Sequence, residues 1–397
     1  MLSVEKAFES IVAAAKPLTT ERLPVENTSG RVLAAPISAR RSQPGCDLSA
    51  MDGYAVKSTD LSGDMVSLKL VGESAAGAPY IGAVKAGEAV RIFTGAAVPD
   101  DTDQVVIQEN TEARNGLIYT REIAAPHKNI RAKGIDFNDK QCVLDAGTFL
   151  TPKTIGLAAA AGHGYLMVHR APKVAILSTG DELVAPDKKQ FQAHETVNST
   201  APQIMSLLTS ASADCSFIGQ AKDDLSSLRK HIAAAADADI LITIGGASVG
   251  DKDLVQKALS AESMHLDFWK VAMRPGKPLI SGKINDTIVL GLPGNPVSAF
   301  VCALLFARPL VDKLMGRPAP LPAGVPLPLA ASMPENGPRQ HYVRARLIGT
   351  PGQRKLDPAV DQDSSLLSVL AQSDGLIIRP PHCPEAKIGD MVPFLPF

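Results

Sequence analysis

The sequence predicts a mixed, multidomain α/β protein built around a central, doubly wound, mostly parallel α/β sheet. Three observations predict it. Between residues 170 and 318, β-forming runs (KVAILST, ADCSFIGQ, DILITI, TIVLGL) alternate with amphipathic helical runs. Several of these strands end abruptly in Gly-rich turns, where ligands of such sheets bind. On either side the pattern changes to short alternating strands separated by Gly, Asp and Asn. A chain of 397 residues holds two to four domains at the usual ~100–200 residues each.

MLSVEKAFESIVAAAKP reads as an amphipathic helix stopped by Pro17; its charged Glu5 and Glu9 argue against a signal peptide. Pro24 and Pro36 punctuate the connector that follows. Residues 41–139 read as a β domain, with MVSLKLVG, EAVRIFTG, DQVVIQEN and GLIYTREI as strands. LTPKTIGLAAAAG is then a helix with Pro152 in its first turn. It is expected to pack back on the N-terminal helix, so that 1–40 plus 140–169 form a connecting domain. Residues 170–318 are the α/β domain. Within it NSTAPQIMSLLTSA is a helix capped by Asn198 or Ser199, DDLSSLRKHIAAAADA a helix with acidic residues in its first turn, HLDFWKVAMRPGKPLISGKI a strand or hairpin, and NPVSAFVCALLFARPLVDKLMG one long helix. RPAPLPAGVPLPLA reads as a semi-rigid linker. The rest of 319–397, with HYVRARLI, DGLIIRP and DMVPFL, alternates like a small β-barrel.

Forty basic and 41 acidic residues leave a net charge of −1, so no global field draws nucleic acid or an anionic membrane. AFVCALLFARPLV is too short to span a bilayer. Five scattered cysteines without a CxxC pair argue against a disulfide framework or zinc knuckle and favour a reducing cytoplasm. Eight histidines show no HExxH spacing, and no GxSxG elbow occurs.

Chemistry concentrates beyond the strand ends. Gly245, Gly246, Gly250, Gly291 and Gly294 let backbone N–H groups approach an anion, and Arg274 and Lys277, three residues apart in RPGKP, supply charge. Two cations held together repel unless an anion arrives. In STGDEL, Ser178, Thr179 and Gly180 suit a phosphate, and Asp181 or Glu182 a hard cation such as magnesium. GGASVGDKD, with Ser248, lacks the GKS or GKT ending of a P-loop and is not GxGxxG, which disfavours a P-loop ATPase and a dinucleotide dehydrogenase. In GLPGNP, Pro293 and Pro296 stiffen the turn and Asn295 offers a donor to an oxyanion. Alone, MDGYAV, FTGAAVP and IRAKGID read as turns or a solvated charged loop. Trp269 reads as a core aromatic more readily than as a ligand stacker.

Taken together, MDGYAV, FTGAAVP, IRAKGID, STGDEL, GGASVGDKD, RPGKP and GLPGNPVSA, in this order and over nearly the whole chain, resemble the molybdopterin molybdenumtransferase (MoeA) family, whose module is similar to the E domain of gephyrin. That resemblance implies an elongated homodimer of four-domain chains. It implies insertion of molybdenum from molybdate into adenylylated molybdopterin with release of AMP. The substrate would be handed over by a molybdopterin adenylyltransferase and the product passed towards molybdoenzyme chaperones. Carried over, the functional positions fall on Asp52, Thr94, Asp136, Glu182 and Asp253, of which Asp136, Glu182 and Asp253 would hold Mg2+, and on Lys270, Arg274, Lys277, Pro293 and Pro296. Arg344 and Ser365 match anion-binding positions, with Arg346 and Ser364 as competitors. Two departures are Ile244, where the family usually has Ser, and Arg274, where relatives often have Lys. The alternatives are a molybdopterin adenylyltransferase, which shares the α/β domain but leaves residues 1–168 and 319–397 without a purpose, and a non-enzymatic scaffold, which needs a partner-binding region not apparent here.

Overall fold

The computed structural model describes residues 1–246 and 254–397. They form two compact units, one of Met1–Glu21, Gly30–Ala34 and Val168–Phe397, the other of Arg22–Ser29 and Ala35–Met167. The first unit opens with α1 (Val4–Ala13), started by the Ser3 hydroxyl accepting the Lys6 N–H at 3.2 Å. Its buried Val4, Ala7, Phe8 and Ile11 form an i, i+3, i+4, i+7 stripe. The partner expected for that stripe is the Pro152 helix. The stripe is answered instead by the helix Arg308–Leu314 of its own unit.

The second unit carries a six-stranded sheet of β1 (Gly53–Val56), β2 (Val66–Ser74), β3 (Glu88–Ile92), β4 (Gln104–Ile107), β5 (Thr111–Arg114) and β6 (Leu117–Thr120), ordered β4-β1-β3-β2-β6-β5. β1 is buried on both faces: Tyr54 and Val56 pack with Leu68, Val106 and Ile118, while Ala55 packs with Ile92 and Val105. Its apolar residues therefore run without a break. Helix α2 (Pro152–Ala160) begins in a reciprocal cap between Thr151 and Thr154, with Pro152 in the first turn, where its missing N–H costs nothing.

In the first unit the α/β sheet comprises β7 (Lys173–Thr179), β8 (Asp214–Ala221), β9 (Ile240–Ile244), β10 (His265–Lys270), β12 (Pro278–Ile284) and β13 (Thr287–Leu292), with the two-residue β11 (Met273–Arg274) between β10 and β12. The order is β8-β7-β9-β13-β12-β10. β8, β7, β9 and β13 are parallel; β12 pairs antiparallel with β13, and β10 pairs antiparallel with β12 and so runs in the direction of the first four. β9 and β13 are buried at every residue, as strands covered on both faces must be. Helices α3 (Thr200–Ser210), α4 (Leu225–Ala233) and α5 (Leu254–Ala261) belong to this layer. Asp224 caps α4 by accepting the Ser227 N–H at 2.7 Å.

The long C-terminal helix is not uniform. α6 (Pro296–Cys302) passes through one π turn (Ala303–Ala307) into α7 (Arg308–Leu314). Pro309 has no N–H to donate and its ring crowds the carbonyl four residues back, so the widened turn just before it accommodates the proline without breaking the helix. On the edge strand β10, Phe268 is buried and Trp269 is 45% exposed with the Lys270 ammonium 5.0 Å from its ring; the core role expected of Trp269 falls to Phe268.

The C-terminal barrel consists of β14 (Val325–Pro328), β15 (Gln340–Ile348), β16 (Lys355–Pro358), β17 (Gly375–Arg379) and β18 (Met391–Pro396), with a short helix α8 (Leu367–Ala371). Antiparallel pairing runs β16-β15-β17-β18-β14, and Leu329, just past β14, pairs with Leu356 of β16, which closes the ring. Leu329, Val343, Leu356, Ile377 and Phe394 fill it. The stretch expected to be a linker thus ends in a barrel strand. β11 adds to the barrel by pairing in parallel with β15, placing Arg274 opposite His341.

Candidate functional site

At the carboxyl ends of β7, β9 and β13 the first unit opens a cleft of about 1160 Å³, lined by Thr179–Leu183, Gly245–Gly246, Pro293–Pro296, Asp223 and Ser365 among others. STGDEL, the GG of GGASVG, and GLPGNP, far apart in sequence, meet here because parallel strands deliver their following turns to one edge. Gly180 has φ +137° and lets the Glu182 carboxylate fold over it, since a Cβ would stand 2.6 Å from Glu182 Oε2. A Cβ at Gly245 (φ +95°) would come within 2.7 Å of the Thr179 carbonyl oxygen. Glycine is required at both by conformation, and at 245 also by space, since the atom in the way there is backbone.

Several expected residues take other roles. Ser178 is fully buried, and its hydroxyl accepts the Asn198 amide at 3.0 Å. It is not itself among the lining residues; Asn198, which it supports, is. Asn198 also accepts the Ala201 N–H at 3.3 Å, so it is Asn198, and not Ser199, whose side chain caps α3. Asn295 is not a free donor: its amide donates to Ser364 Oγ at 3.0 Å, and the Val297 N–H donates to the Ser364 carbonyl at 3.2 Å. These bonds tie the 361–366 loop of the barrel to the start of α6.

Arg344 is the main correction. Its side chain is 1% exposed, and its guanidinium donates to the carbonyls of Leu366 (3.0 Å), Asp361 (3.2 Å) and Asp363 (2.9 Å) and to Gln362 Oε1 (3.4 Å). A cation committed to four acceptors inside the protein shapes the loop and does not reach for a ligand. Its competitor Arg346 pairs with Asp357 at 3.1 Å. Ser365 does line the cleft, and its N–H and hydroxyl both donate to Asp363 Oδ1 (2.8 and 2.6 Å), which holds that carboxyl below its usual range. Lys270, Arg274 and Lys277 are not among the lining residues; Arg274 and Lys277 are exposed, on either side of Gly276 at φ +103°. Ser248, Gly250 and Asp253 lie outside the described residues.

In the second unit Asp52 and Thr94 are joined: Asp52 Oδ1 accepts both the N–H and the hydroxyl of Thr94 at 2.7 Å. These bonds, with the nearby Arg91 cation, hold the Asp52 carboxyl below its ordinary range. Asp136 is exposed on its own loop, its N–H donating to the Gln43 carbonyl at 3.0 Å.

The sequence reading missed two residues. Gln220, near the end of β8, donates to the carbonyls of Gly180 and Leu183, both at 2.9 Å, and so fixes the STGDEL turn; a polar residue at a parallel strand's end is the available signal. Asp223 reads from sequence as a first-turn helix acid but lines the cleft. Burial, then Asp181 and Glu182, push its carboxyl above the usual range. A carboxyl raised by folding withholds stability once the pH climbs through its folded value, and nothing is lost below the ordinary carboxylate range. Asp223→Asn is therefore expected to raise the unfolding free energy at pH 7 to 8 by less than about 1 kcal/mol after solvent screening, with a matching rise in the denaturation midpoint, and to leave both unchanged near pH 3. Equal midpoint shifts at both pH values would refute this cause.

Among the described residues, no group of three or more His, Cys, Asp or Glu side chains is arranged to hold a metal ion. Nor is any helix among them long and apolar enough to cross a membrane.

A parallel sheet whose Gly-rich turns meet in one cleft, joined to a β-barrel, is the arrangement of a multidomain protein with a molybdopterin-binding-type α/β domain. Residues 175–313 match the model of a probable molybdopterin binding domain, 2–162 that of the MoeA N-terminal region (domains I and II) and 326–397 that of the MoeA C-terminal region (domain IV). The chain is 34% identical over 406 residues to the molybdopterin molybdenumtransferase of Haemophilus influenzae, covering 100% of this chain and 99% of that protein. It is 33% identical to molybdopterin molybdenumtransferase 2 of Mycobacterium tuberculosis, covering 97% and 96%. The crystal structure of the molybdopterin biosynthesis MoeA protein of Pyrococcus horikoshii superposes with TM-score 0.85 at 28% identity, covering 100% of this chain and 99% of that one. The chain belongs to the MoeA family.

Proposed function

We propose that this enzyme inserts molybdenum, taken from molybdate, into adenylylated molybdopterin and releases AMP, as a step of molybdenum cofactor biosynthesis. The observation that carries the reading is the convergence of Thr179–Glu182, Gly245–Gly246 and Pro293–Pro296 in one cleft, in a chain with full-length relatives named molybdopterin molybdenumtransferase. The glycine turns let the backbone meet phosphate closely. Lys270, Arg274 and Lys277 would hold the charge of molybdate and of the phosphates. A carboxylate facing phosphates repels them unless a cation intervenes, which is the ground for including Mg2+. Glu182, crowded with Asp181 against Asp223, has the chemistry for that cation, with Asp136 and Asp253 as further ligands. The described residues do not by themselves complete such a site.

The remainder of the proposal comprises the four-domain division (1–40 plus 140–169, 41–139, 170–318, 319–397), a cytoplasmic homodimer in which Asp52 of the partner subunit completes the cleft, and delivery of substrate by an adenylyltransferase. Five free cysteines support a reducing compartment. The test is to mix the protein with adenylylated molybdopterin, molybdate and Mg2+ and follow AMP. Release that depends on molybdate is the expected result. Binding without release favours a scaffold, and ATP-dependent adenylylation of molybdopterin favours the adenylyltransferase.

A further inference from the structure

Asp52 is held in the second unit by more than Thr94, and the additional support centres on one side chain. Arg91 on β3 stands opposite Tyr54 on β1 in the antiparallel register. Its guanidinium carbon lies 5.0 Å from the ring centroids of both Tyr54 and Phe93. From there Nη1 donates to the Gly53 carbonyl at 3.2 Å and Nη2 to Gln108 Oε1 at 2.6 Å. The Gln108 N–H in turn donates to the Asp52 carbonyl at 3.0 Å. Gly53 itself packs so close to β4 that a Cβ would stand 2.0 Å from the Val106 carbonyl oxygen.

We infer that Arg91 is a positioning residue for Asp52: with Gln108 it grips the carbonyls of residues 52 and 53, and the two aromatic rings keep its plane from turning. The carboxylate is thereby aimed with one oxygen committed to Thr94 and the other not used by these bonds. A lysine at 91 keeps the charge but cannot bond two acceptors from one plane. The guanidinium also adds to the forces that keep Asp52 ionised, after the two Thr94 bonds. The inference rests on the proposed catalytic part of Asp52 and adds to it a residue that touches no substrate.

The experiment compares Arg91→Lys, Arg91→Met and Asp52→Asn in the full chain, by molybdate-dependent AMP release over a range of pH and by thermal midpoint. Arg91→Lys is expected to lower kcat roughly tenfold, as small misplacements do, with KM for adenylylated molybdopterin within twofold and the midpoint nearly unchanged. Arg91→Met should also move the acid limb of the kcat profile to higher pH, because Asp52 loses the cation. Asp52→Asn should be inactive. If Asp52→Asn is inactive while both Arg91 variants keep wild-type kcat and acid limb, the positioning role is wrong and the reading of Asp52 survives. A fall in kcat that only tracks a lost midpoint, with an unmoved acid limb, likewise overturns it. Wild-type turnover by Asp52→Asn sinks both.

Discussion

Glu182→Ala is expected to fold as the parent does and to release AMP at least about a hundredfold more slowly. The two halves of that expectation have separate physical grounds. Glu182 is exposed at the cleft rim, and its carboxylate makes no hydrogen bond within the described residues. Its effect on Asp223 is unfavourable, since it helps push that carboxyl up. Removing it relieves like-charge crowding, so the thermal midpoint should stay within about 2 °C or rise slightly. Gly180, at φ +137°, leaves room for this carboxylate to bend back over the turn at the cleft rim. Residues held against their electrostatic interest mark a functional site. Glu182→Gln, which keeps the shape and removes the charge, should lose as much activity as Glu182→Ala if charge is what matters. Wild-type AMP release by either variant takes Glu182 out of the reaction.

The central sheet was the most legible part of the chain, because strands covered on both faces write unbroken apolar runs and their turns need glycine; DILITI and TIVLGL are instances. Part of the cleft's floor could be read for the same reason: Gly180 and Gly245 take positive φ, and at Gly245 a Cβ would also meet the Thr179 carbonyl. What sequence could not show is where a polar side chain spends its donors. Ser178 and Thr179 are adjacent in STGDEL, yet strand alternation turns the first towards Asn198 and leaves the second in the cleft. Asn295 looks like an oxyanion donor until the barrel loop, some 69 residues on, supplies Ser364 as its acceptor. Asp223 and Asp224 are indistinguishable as neighbouring acids before a helix, but one caps α4 and the other enters the cleft. Alternation and the Asp224–Ser227 cap are local, but which side of the strand or turn becomes the cleft is set by contacts distant in sequence, and no local spacing encodes it.

Arg344→Met should cost about 3 kcal/mol, the largest stability loss anticipated for a single site here, because a guanidinium that is 1% exposed loses four bonds, three of them to the carbonyls that hold the 361–366 loop. Alternation along HYVRARLI puts Val343 and Ala345 into the barrel core and turns Arg344 and Arg346 to the opposite face. There the two arginines part company: Arg344 is enclosed by the 361–366 loop, and Arg346 makes an exposed pair with Asp357. Arg346→Met is accordingly the control, with a loss below about 0.5 kcal/mol in chemical denaturation. Arg344→Lys discriminates between the two roles open to this position. If the residue bound an anion directly, lysine would keep the fold and weaken molybdate binding modestly. As a strut it cannot be replaced by lysine, whose point charge does not span three carbonyls, so Arg344→Lys should lose nearly as much stability as Arg344→Met. The loop that brings Ser364 to Asn295 and Ser365 to the cleft should loosen with it, seen as faster amide exchange at 361–366. Full stability of Arg344→Lys together with weakened molybdate binding would return Arg344 to the anion site and make its enclosure by that loop incidental.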